Sequence, residues 1–417
     1  MVRAPHPAFS GWRICAAAVL SQSVAIGFTL GSVGVFAAPL AQELGATATE
    51  FNSGVALFSL MMNLSMPFIG AQLGLGRIRG VMLAGTIVLA LSLAAMSQAR
   101  ELWQVGLGFG VGSAIGMAML GPMSSSTAMA NWFERLRGRA LGIANMGGPA
   151  GPIVIAPAAA WAIGQIGWRG TLLGFAVVTL AVGIPCVWFG MLDRPSDVGQ
   201  FPDGELPVAS GSDGGETLAL APVWNAAKLV RCREFWFAAL AVGPFAAVGI
   251  VMATNAIPYM AKLGAAPEAA ALVVIPQSIG AVLGPVVFGA LADKIHPRIL
   301  FVGLIGTLCT GLTGLAFQPS YAVALVLFSM IGIVGGSMMA VYGALVARLF
   351  GAMAFGQVLG LGALVGLPAI VLTPLVFGKA FDATGSYSLG LLIMVAALAT
   401  AALLFALLPS GQARRPG

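Results

Sequence analysis

Few residues of this chain could carry out acid–base or metal chemistry inside its long apolar stretches. The 14 Asp and Glu residues and both histidines, His6 and His296, fall between those stretches. The four cysteines stand singly, without the paired spacing or nearby histidines that a zinc site requires. Nucleophile-elbow, metalloprotease and phosphate-loop motifs do not occur. The sequence therefore predicts no enzyme activity, no metal site and no cofactor.

The apolar stretches do contain uncharged polar side chains that can form hydrogen bonds. These are Gln277, Asn255, Tyr342, Tyr259, Ser337, Thr29 and Gln22. Such groups can hold a small solute in an apolar cavity, and they can equally bond to a neighbouring helix, as most intramembrane Ser and Thr residues do. We predict all seven as substrate-binding candidates, with Gln277, Asn255 and Tyr342 first.

The composition shows which solvent surrounds these residues. Of the 417 residues 59% are hydrophobic and 8% are charged, against about 25% charged in a typical soluble protein. Too few polar residues remain to cover a water-soluble surface. Soluble enzymes, nucleic-acid binders and disordered scaffolds are therefore excluded, and the bilayer is predicted to accept most of the exterior.

Charged residues mark the ends of the predicted membrane spans. Eleven gaps between them reach the roughly 20 residues that a helix needs to cross hydrocarbon. The gap from 299 to 347 is about twice that length and contains the turn signal Gln318-Pro319-Ser320, so it holds two helices. The chain is thus predicted to be an all-α membrane protein with twelve transmembrane helices, which we call spans 1 to 12.

The basic residues predict the orientation. Of the 20 Lys and Arg residues, 16 fall on one side and four on the other when the loops alternate. Because cytoplasmic loops carry the excess of basic residues, both termini are predicted to be cytoplasmic, in a bacterial-type cytoplasmic (inner) membrane. The long polar segment 193–234 is predicted to be a cytoplasmic linker. It separates an N-terminal six-helix half, 1–192, from a C-terminal six-helix half, 235–417.

An internal repeat supports this division. GAQLGLGRIR at 70–79 follows span 2, and GALADKIHPR at 289–298 follows span 8, at an offset of 219 residues. Parallel repeats of six helices are typical of alternating-access transporters, which bind substrate near the bilayer midplane.

At these loops the sequence resembles the major facilitator superfamily. Six further segments are similar to its monocarboxylate and oxalate/formate porter branch: GVFAAPLAQELG (34–45), NWFERLRGRALGIA (131–144), GWRG (167–170), RPSDVGQFPDGE (194–205), REFW (233–236) and DATGSY (382–387). The resemblance implies the major facilitator fold and transport. It also implies a loop that controls the conformational equilibrium, carried here by Asp293, Lys294, Arg298 and Arg79.

Three positions depart from the family pattern. Gly74 and Leu75 replace the charged pair of the first-half loop. Pro285 stands where many carboxylate-carrying relatives have an Arg that pairs with the substrate. Gln277 precedes Pro285 by about two helical turns and so lies on the same face of span 8.

These observations favour a secondary active or facilitative transporter of a small organic solute, with a monocarboxylate as the first choice. The alternative is an exporter of an amphiphilic or drug-like compound. A membrane sensor or non-transporting subunit ranks lower, because neither tail nor linker is long enough for an output domain. The predicted partners are a small-molecule substrate and the bilayer, without nucleic acid. The direction, the coupling ion and the oligomeric state stay open.

Overall fold

The regular elements that the structure describes are helical. The structure is a computed structural model, and it describes residues 9–133, 136–204, 226–292, 295, 297–350 and 355–406. The first elements are α1 (Gly11–Gly27), α2 (Ala37–Leu44), α3 (Ala48–Gly74) and α4 (Ile78–Ser97). Span 1 is interrupted between α1 and α2, where a 3₁₀ turn occupies Val33–Phe36. Spans 2 and 3 are the single helices α3 and α4.

Span 4 is made of several pieces. They are α5 (Leu102–Leu107), a π-helical turn (Gly108–Ser113), α6 (Ala114–Leu120) and α7 (Pro122–Trp132). Gly121 has ψ −140°, which is outside the helical region, and Pro122 has no N–H to continue the ladder. The helix therefore restarts at α7.

Spans 5 and 6 follow α8 (Arg137–Asn145) as the long helical segment α9 (Gly147–Gly190). Gly167 divides α9, with φ 70° and ψ 170°, a conformation that a residue with a Cβ rarely adopts. Two short 3₁₀ helices, Pro195–Val198 and Pro202–Gly204, come after it.

The remaining helices carry spans 7 to 12. They are α10 (Ala226–Val230), α11 (Arg233–Lys262), α12 (Pro267–Ala271), α13 (Val274–Ala292), α14 (Pro297–Ala316), α15 (Tyr321–Phe350), α16 (Phe355–Thr384) and α17 (Ser388–Ala406). In the described residues nine helical segments are long and apolar enough to cross a membrane. One of them, Arg139–Gly190, holds spans 5 and 6, and shorter apolar helices form spans 1 and 12. This gives the twelve predicted helices.

Pairs of glycines bring neighbouring helices into close contact. Gly147 and Gly151 of α9 lie against the backbone of Val19 and Ser23 in α1. In the second half of the chain Gly332 and Gly336 of α15 lie in the same way against α13. In both pairs the glycines are four residues apart, on one helix face, where a small side chain lets two backbones approach.

The described chain packs as two compact units. Unit 1 comprises Met1–Ser32 and Met61–Asp213, and unit 2 comprises Val33–Leu60 and Gly214–Gly417. Residues 33–60, which end span 1 and begin span 2, thus pack with the second half of the sequence. Trp132 and Phe133 are fully buried in unit 1, as are Phe245 and Phe301 in unit 2.

Candidate functional site

Two of the predicted substrate-binding residues, Gln22 and Thr29, lie in unit 1 and are almost fully buried. The Gln22 Nε2 donates a hydrogen bond to Oδ1 of Asn145 at 3.4 Å. The Thr29 hydroxyl donates to the Ala25 carbonyl at 2.5 Å and lies 3.3 Å from the Met117 sulfur. Both side chains therefore already have polar partners inside unit 1.

Next to the restart of span 4, in the same unit, a buried hydroxyl has no hydrogen-bond partner in the described part of the chain. The Gly121 N–H donates to the Met117 carbonyl at 2.8 Å, and the Ser125 N–H donates to the Gly121 carbonyl at 3.2 Å. The N–H groups of Met123 and Ser124 stand between them, at the start of α7, where a helix has no intrahelical acceptors. Ser125 is fully buried, and its hydroxyl has no partner among the described residues. The Gly-Pro pair at 121–122 is the sequence signal for this break, which was not predicted.

Asn255 lies in unit 2 and pairs with Asn52, which is not among the predicted site residues. Its Nδ2 donates to Oδ1 of Asn52 at 2.9 Å, and the Asn52 Nδ2 donates back to Oδ1 of Asn255 at 3.3 Å. The Val251 carbonyl and the Thr254 hydroxyl lie 3.1 and 3.0 Å from the same Nδ2, so three acceptors share its two hydrogens. Asn52 is an amide at the start of an apolar run, and this polarity was the available signal.

Tyr259 and Ser337, also in unit 2, use their hydroxyls to bond protein carbonyls. The Tyr259 hydroxyl donates to the Leu315 carbonyl in α14 at 2.6 Å. The Ser337 hydroxyl donates to the carbonyl of Ile333, one turn earlier in α15, at 2.6 Å. Their part in substrate binding stays a prediction.

Tyr342 and Gln277 differ from the other candidates in unit 2. Tyr342 is 2% exposed, yet its hydroxyl has no hydrogen-bond partner among the described residues. A buried hydroxyl without a partner costs free energy and calls for a ligand or another explanation. The Gln277 side chain is half-buried. Of the seven candidates, Tyr342 is thus the one that combines full burial with an unsatisfied polar atom.

The predicted conformational loop residues are described only in part. The Arg79 N–H donates to Oδ1 of Asp193 at 2.8 Å, and the guanidinium lies 4.3 Å from the ring centroid of Trp188. Arg298 is half-buried in α14. Asp293 and Lys294 lie outside the described residues. The role of this loop stays a prediction.

Carboxylates are confined to the helix ends in the part of the chain that the structure describes. Glu234 is the one acidic side chain there that is buried, and it lies in the first turn of α11. It accepts a hydrogen bond from the Cys232 thiol at 2.9 Å. No group of three potential metal ligands was found among the described residues.

The fold and these residues can be compared with known proteins. The sequence matches the family model of the Major Facilitator Superfamily over residues 19–255 and 245–417, which is nearly the whole chain. The chain belongs to the Major Facilitator Superfamily. As a member of this superfamily it is a multi-pass membrane protein, and the prediction of the major facilitator fold is confirmed.

Curated superfamily relatives include "Monocarboxylate transporter 11" of Mus musculus, 29% identical over 312 residues, or 73% of this chain. That alignment spans 64% of the mouse protein. "Monocarboxylate transporter 3" of Rattus norvegicus is 26% identical over 91% of this chain and 76% of its own length. Among solved structures, a bacterial homologue of the human lysosomal transporter Spinster has a TM-score of 0.73 at 16% identity, covering 96% of this chain and 97% of its own. This last similarity concerns the fold alone.

Proposed function

We propose that this superfamily member transports a small monocarboxylate across a membrane by alternating access and has no enzyme activity. The observation that carries the proposal is the alignment with a monocarboxylate transporter along 91% of the chain. Export of an amphiphilic compound, the alternative from the sequence, finds no support in the names of these two relatives.

The polar groups of unit 2 suggest how a carboxylate could be bound without the family's arginine. Pro285 stands at the arginine position, and burying a carboxylate without a cation or hydrogen bonds is costly. Gln277 lies on the same face of α13, and Tyr342 offers an unsatisfied hydroxyl. We assign these two residues as the first substrate donors. Asn255, Tyr259, Ser337, Thr29 and Gln22 remain candidates whose internal bonds must break before they can bind substrate.

The residues inside the described spans also limit how transport can be coupled to protons. In the described spans no carboxylate or histidine is buried in the interior, so no titratable side chain of that kind is available at the midplane. The proton can travel on the substrate as its neutral acid, or the carrier works as a uniporter. A carboxylic acid that enters in neutral form requires donors and no cation, which fits Gln277 and Tyr342.

Transport by the purified protein in liposomes tests the proposal. A panel of radiolabelled monocarboxylates is assayed for saturable counterflow, with protein-free liposomes and the corresponding amides as controls. We expect counterflow of at least one acid and none of its amide. Absence of counterflow across the panel, with folded protein in the liposomes, would contradict the proposal.

The proposal includes a bacterial-type cytoplasmic membrane, cytoplasmic termini and the six-helix halves 1–192 and 235–417 joined by the linker 193–234. Single cysteines at Arg139 and Ser386 in a background lacking the native cysteines test the orientation. An impermeant thiol reagent applied to intact cells is expected to label position 386 and spare position 139. The reverse pattern would invert the topology.

A further inference from the structure

Three arginines lie at one end of unit 1, on two segments that contact each other. Arg77 and Arg79 stand at the start of α4, and Arg194 follows the end of α9. The Arg194 guanidinium lies against Gly76, where an added Cβ would be 2.7 Å from Nη2. The Asp193 carboxylate bonds the N–H of Arg79, which fixes the two segments to each other. We call Arg77, Arg79 and Arg194 the arginine cluster.

The guanidinium groups of the arginine cluster lack carboxylate partners among the described residues. The two nearby aspartates bond backbone groups: Asp193 accepts from the Arg79 N–H at 2.8 Å, and Asp197 accepts from the Arg194 N–H at 3.0 Å. Arg77 donates from Nη1 to the neutral side-chain oxygen of Gln72 at 3.3 Å. Nε of Arg79 is buried without an acceptor in the described structure. Among the described residues two aspartates therefore lie on the segments that carry the three arginines, and each aspartate already accepts a backbone N–H.

The surroundings of the cluster are apolar and exposed. Arg79 stacks on Trp188 at 4.3 Å, and Trp188 itself is 53% exposed. Phe189, which follows Trp188 in the sequence, and Leu75, which precedes Gly76, are 72% and 62% exposed. These side chains stand at the ends of membrane-spanning helices, where tryptophan is typical of the boundary between hydrocarbon and headgroups. An anion bound to the arginine cluster would therefore lie next to an apolar surface.

We propose that the arginine cluster binds the phosphate of an anionic phospholipid. Arginine forks pair with phosphate oxygens in two parallel hydrogen bonds, and the lipid's glycerol and acyl chains would cover Trp188 and Phe189. Such a headgroup supplies acceptors for the exposed side chains of Arg77 and Arg194. The basic excess on this side of the predicted topology places the cluster toward the cytoplasmic leaflet, where membrane anionic lipids attract basic residues. The proposal does not depend on which solute is carried.

Glycine is required at position 76 by the same arrangement. Gly76 has φ 75°, in the left-handed region, and it allows Arg194 to approach the loop that carries Arg77. A side chain at this position would displace the Arg194 guanidinium from the cluster. Gly76→Ala is therefore a variant that disturbs the site without removing a charge.

Lipid binding to the full-length protein tests the proposal. The protein is purified in detergent and titrated with phosphatidylglycerol or phosphatidylcholine, and retention of lipid is followed by native mass spectrometry. Arg79→Gln/Arg194→Gln is expected to weaken phosphatidylglycerol binding by roughly tenfold or more and to leave phosphatidylcholine binding unchanged. Arg79→Lys should lose less, because it keeps the charge and loses the planar fork.

The matched control is Arg169→Gln. Arg169 stacks on Trp168 at 4.2 Å, as Arg79 does on Trp188, but it donates to the Ala99 carbonyl at 2.9 Å and its tryptophan is only 4% exposed. This variant is expected to bind phosphatidylglycerol like the wild type. If the double variant is not recovered folded, Arg77→Gln and Gly76→Ala are measured in its place and should each weaken binding.

Three results would overturn the proposal. The first is unchanged phosphatidylglycerol binding in the folded variants. The second is an equal loss in Arg169→Gln, which would indicate a general effect of net charge. The third is competition by millimolar inorganic phosphate or glycerol 3-phosphate as strong as that by the lipid, which would identify a soluble anion as the ligand.

Discussion

The side-chain amides of Asn52 and Asn255 bond to each other in both directions, at 2.9 Å and 3.3 Å, although 203 residues separate them in the sequence. Both are nearly fully buried. Asn52 also donates to the Ala48 carbonyl at 2.9 Å, which holds its amide in one orientation. The pair therefore ties the start of α3 to α11 within unit 2.

Replacing one member of this pair is expected to destabilise the protein by about 1 to 3 kcal/mol, because the other amide is left buried and unpaired. Asn52→Leu and Asn255→Leu should show similar losses, and the double variant should lose less than their sum. Chemical denaturation in detergent measures all three. If Asn255→Leu also raises the KM for transport while Asn52→Leu does not, Asn255 binds substrate; equal effects on KM would assign it to helix packing.

Tyr342 and Tyr259 form a natural comparison, since both are buried but, among the described residues, only the Tyr259 hydroxyl has a hydrogen-bond partner. Tyr342→Phe removes an unsatisfied hydroxyl, so the ligand-free protein should be as stable as the wild type or more stable. Tyr259→Phe removes the bond to Leu315 and should cost about 1 kcal/mol. We expect Tyr342→Phe to raise KM. An unchanged KM in a stable Tyr342→Phe protein would exclude its hydroxyl as a substrate donor.

Asp382 completes the cap of a helix far from it in sequence. Its carboxylate accepts the N–H groups of Ala48 and Thr49 at 3.0 and 2.8 Å, while Thr47 and Glu50 cap each other. Asp382→Ala is expected to cost about 0.5 to 2 kcal/mol of stability, and Asp382→Asn less, since one acceptor oxygen remains. Thermal unfolding in detergent measures the change. Wild-type stability in Asp382→Ala would show that this cap contributes nothing.

Once a substrate is known, a Gln277 variant can test how the substrate's carboxyl group is recognised. If the acid is carried in its neutral form, uptake should rise as the external pH falls toward the acid's own pKa. Gln277→Leu should weaken binding by about 1 to 3 kcal/mol through a lost buried hydrogen bond. Initial rates of uptake between about pH 5 and 8 measure both effects. The control is Gln98→Leu, which replaces an exposed glutamine. Rates independent of pH, together with an unaffected Gln277→Leu, would favour a substrate without a carboxyl group.

Cys232, just before α11, should be a slow nucleophile. Burial raises the pKa of its thiol to about 11, and the hydrogen bond to Glu234 and the charge of that carboxylate add to the rise. The thiolate fraction at pH 8 is then roughly a thousandth, so alkylation should be slow and accelerate as the pH approaches 11. At pH values above the ordinary pKa of 9.0 the folded protein still holds the thiol proton, which the unfolded chain releases. The stability that the raised pKa contributes is therefore fully present below pH 9 and falls as the pH rises toward about 11.

Maleimide kinetics in a variant that retains only Cys232 measure this pKa. Glu234→Gln should lower the pKa and speed alkylation at pH 8, because it removes the charge that disfavours the thiolate. Fast alkylation of the parent at pH 8 would contradict the burial of this thiol.

The sequence by itself determined the membrane class, the twelve spans and the superfamily. The reason is that every helix that crosses hydrocarbon needs an apolar run of about 20 residues, and each such run can be recognised in the local sequence. It also located the polar residues inside those runs, among them Asn255 and Tyr342. The breaks in spans 1 and 4 were not predicted, although Gly121-Pro122 is a local signal for the second.

Only the tertiary structure decided what each polar residue bonds to. The polarity of Asn255 is visible in the sequence, but its partner Asn52 comes from another span, and Asp382 caps a helix more than 300 residues away. The same holds for Arg79, whose stacking on Trp188 depends on how α4 and α9 pack. Hydropathy is a property of each residue, whereas a hydrogen bond or a stacked pair requires two surfaces that folding alone brings into contact.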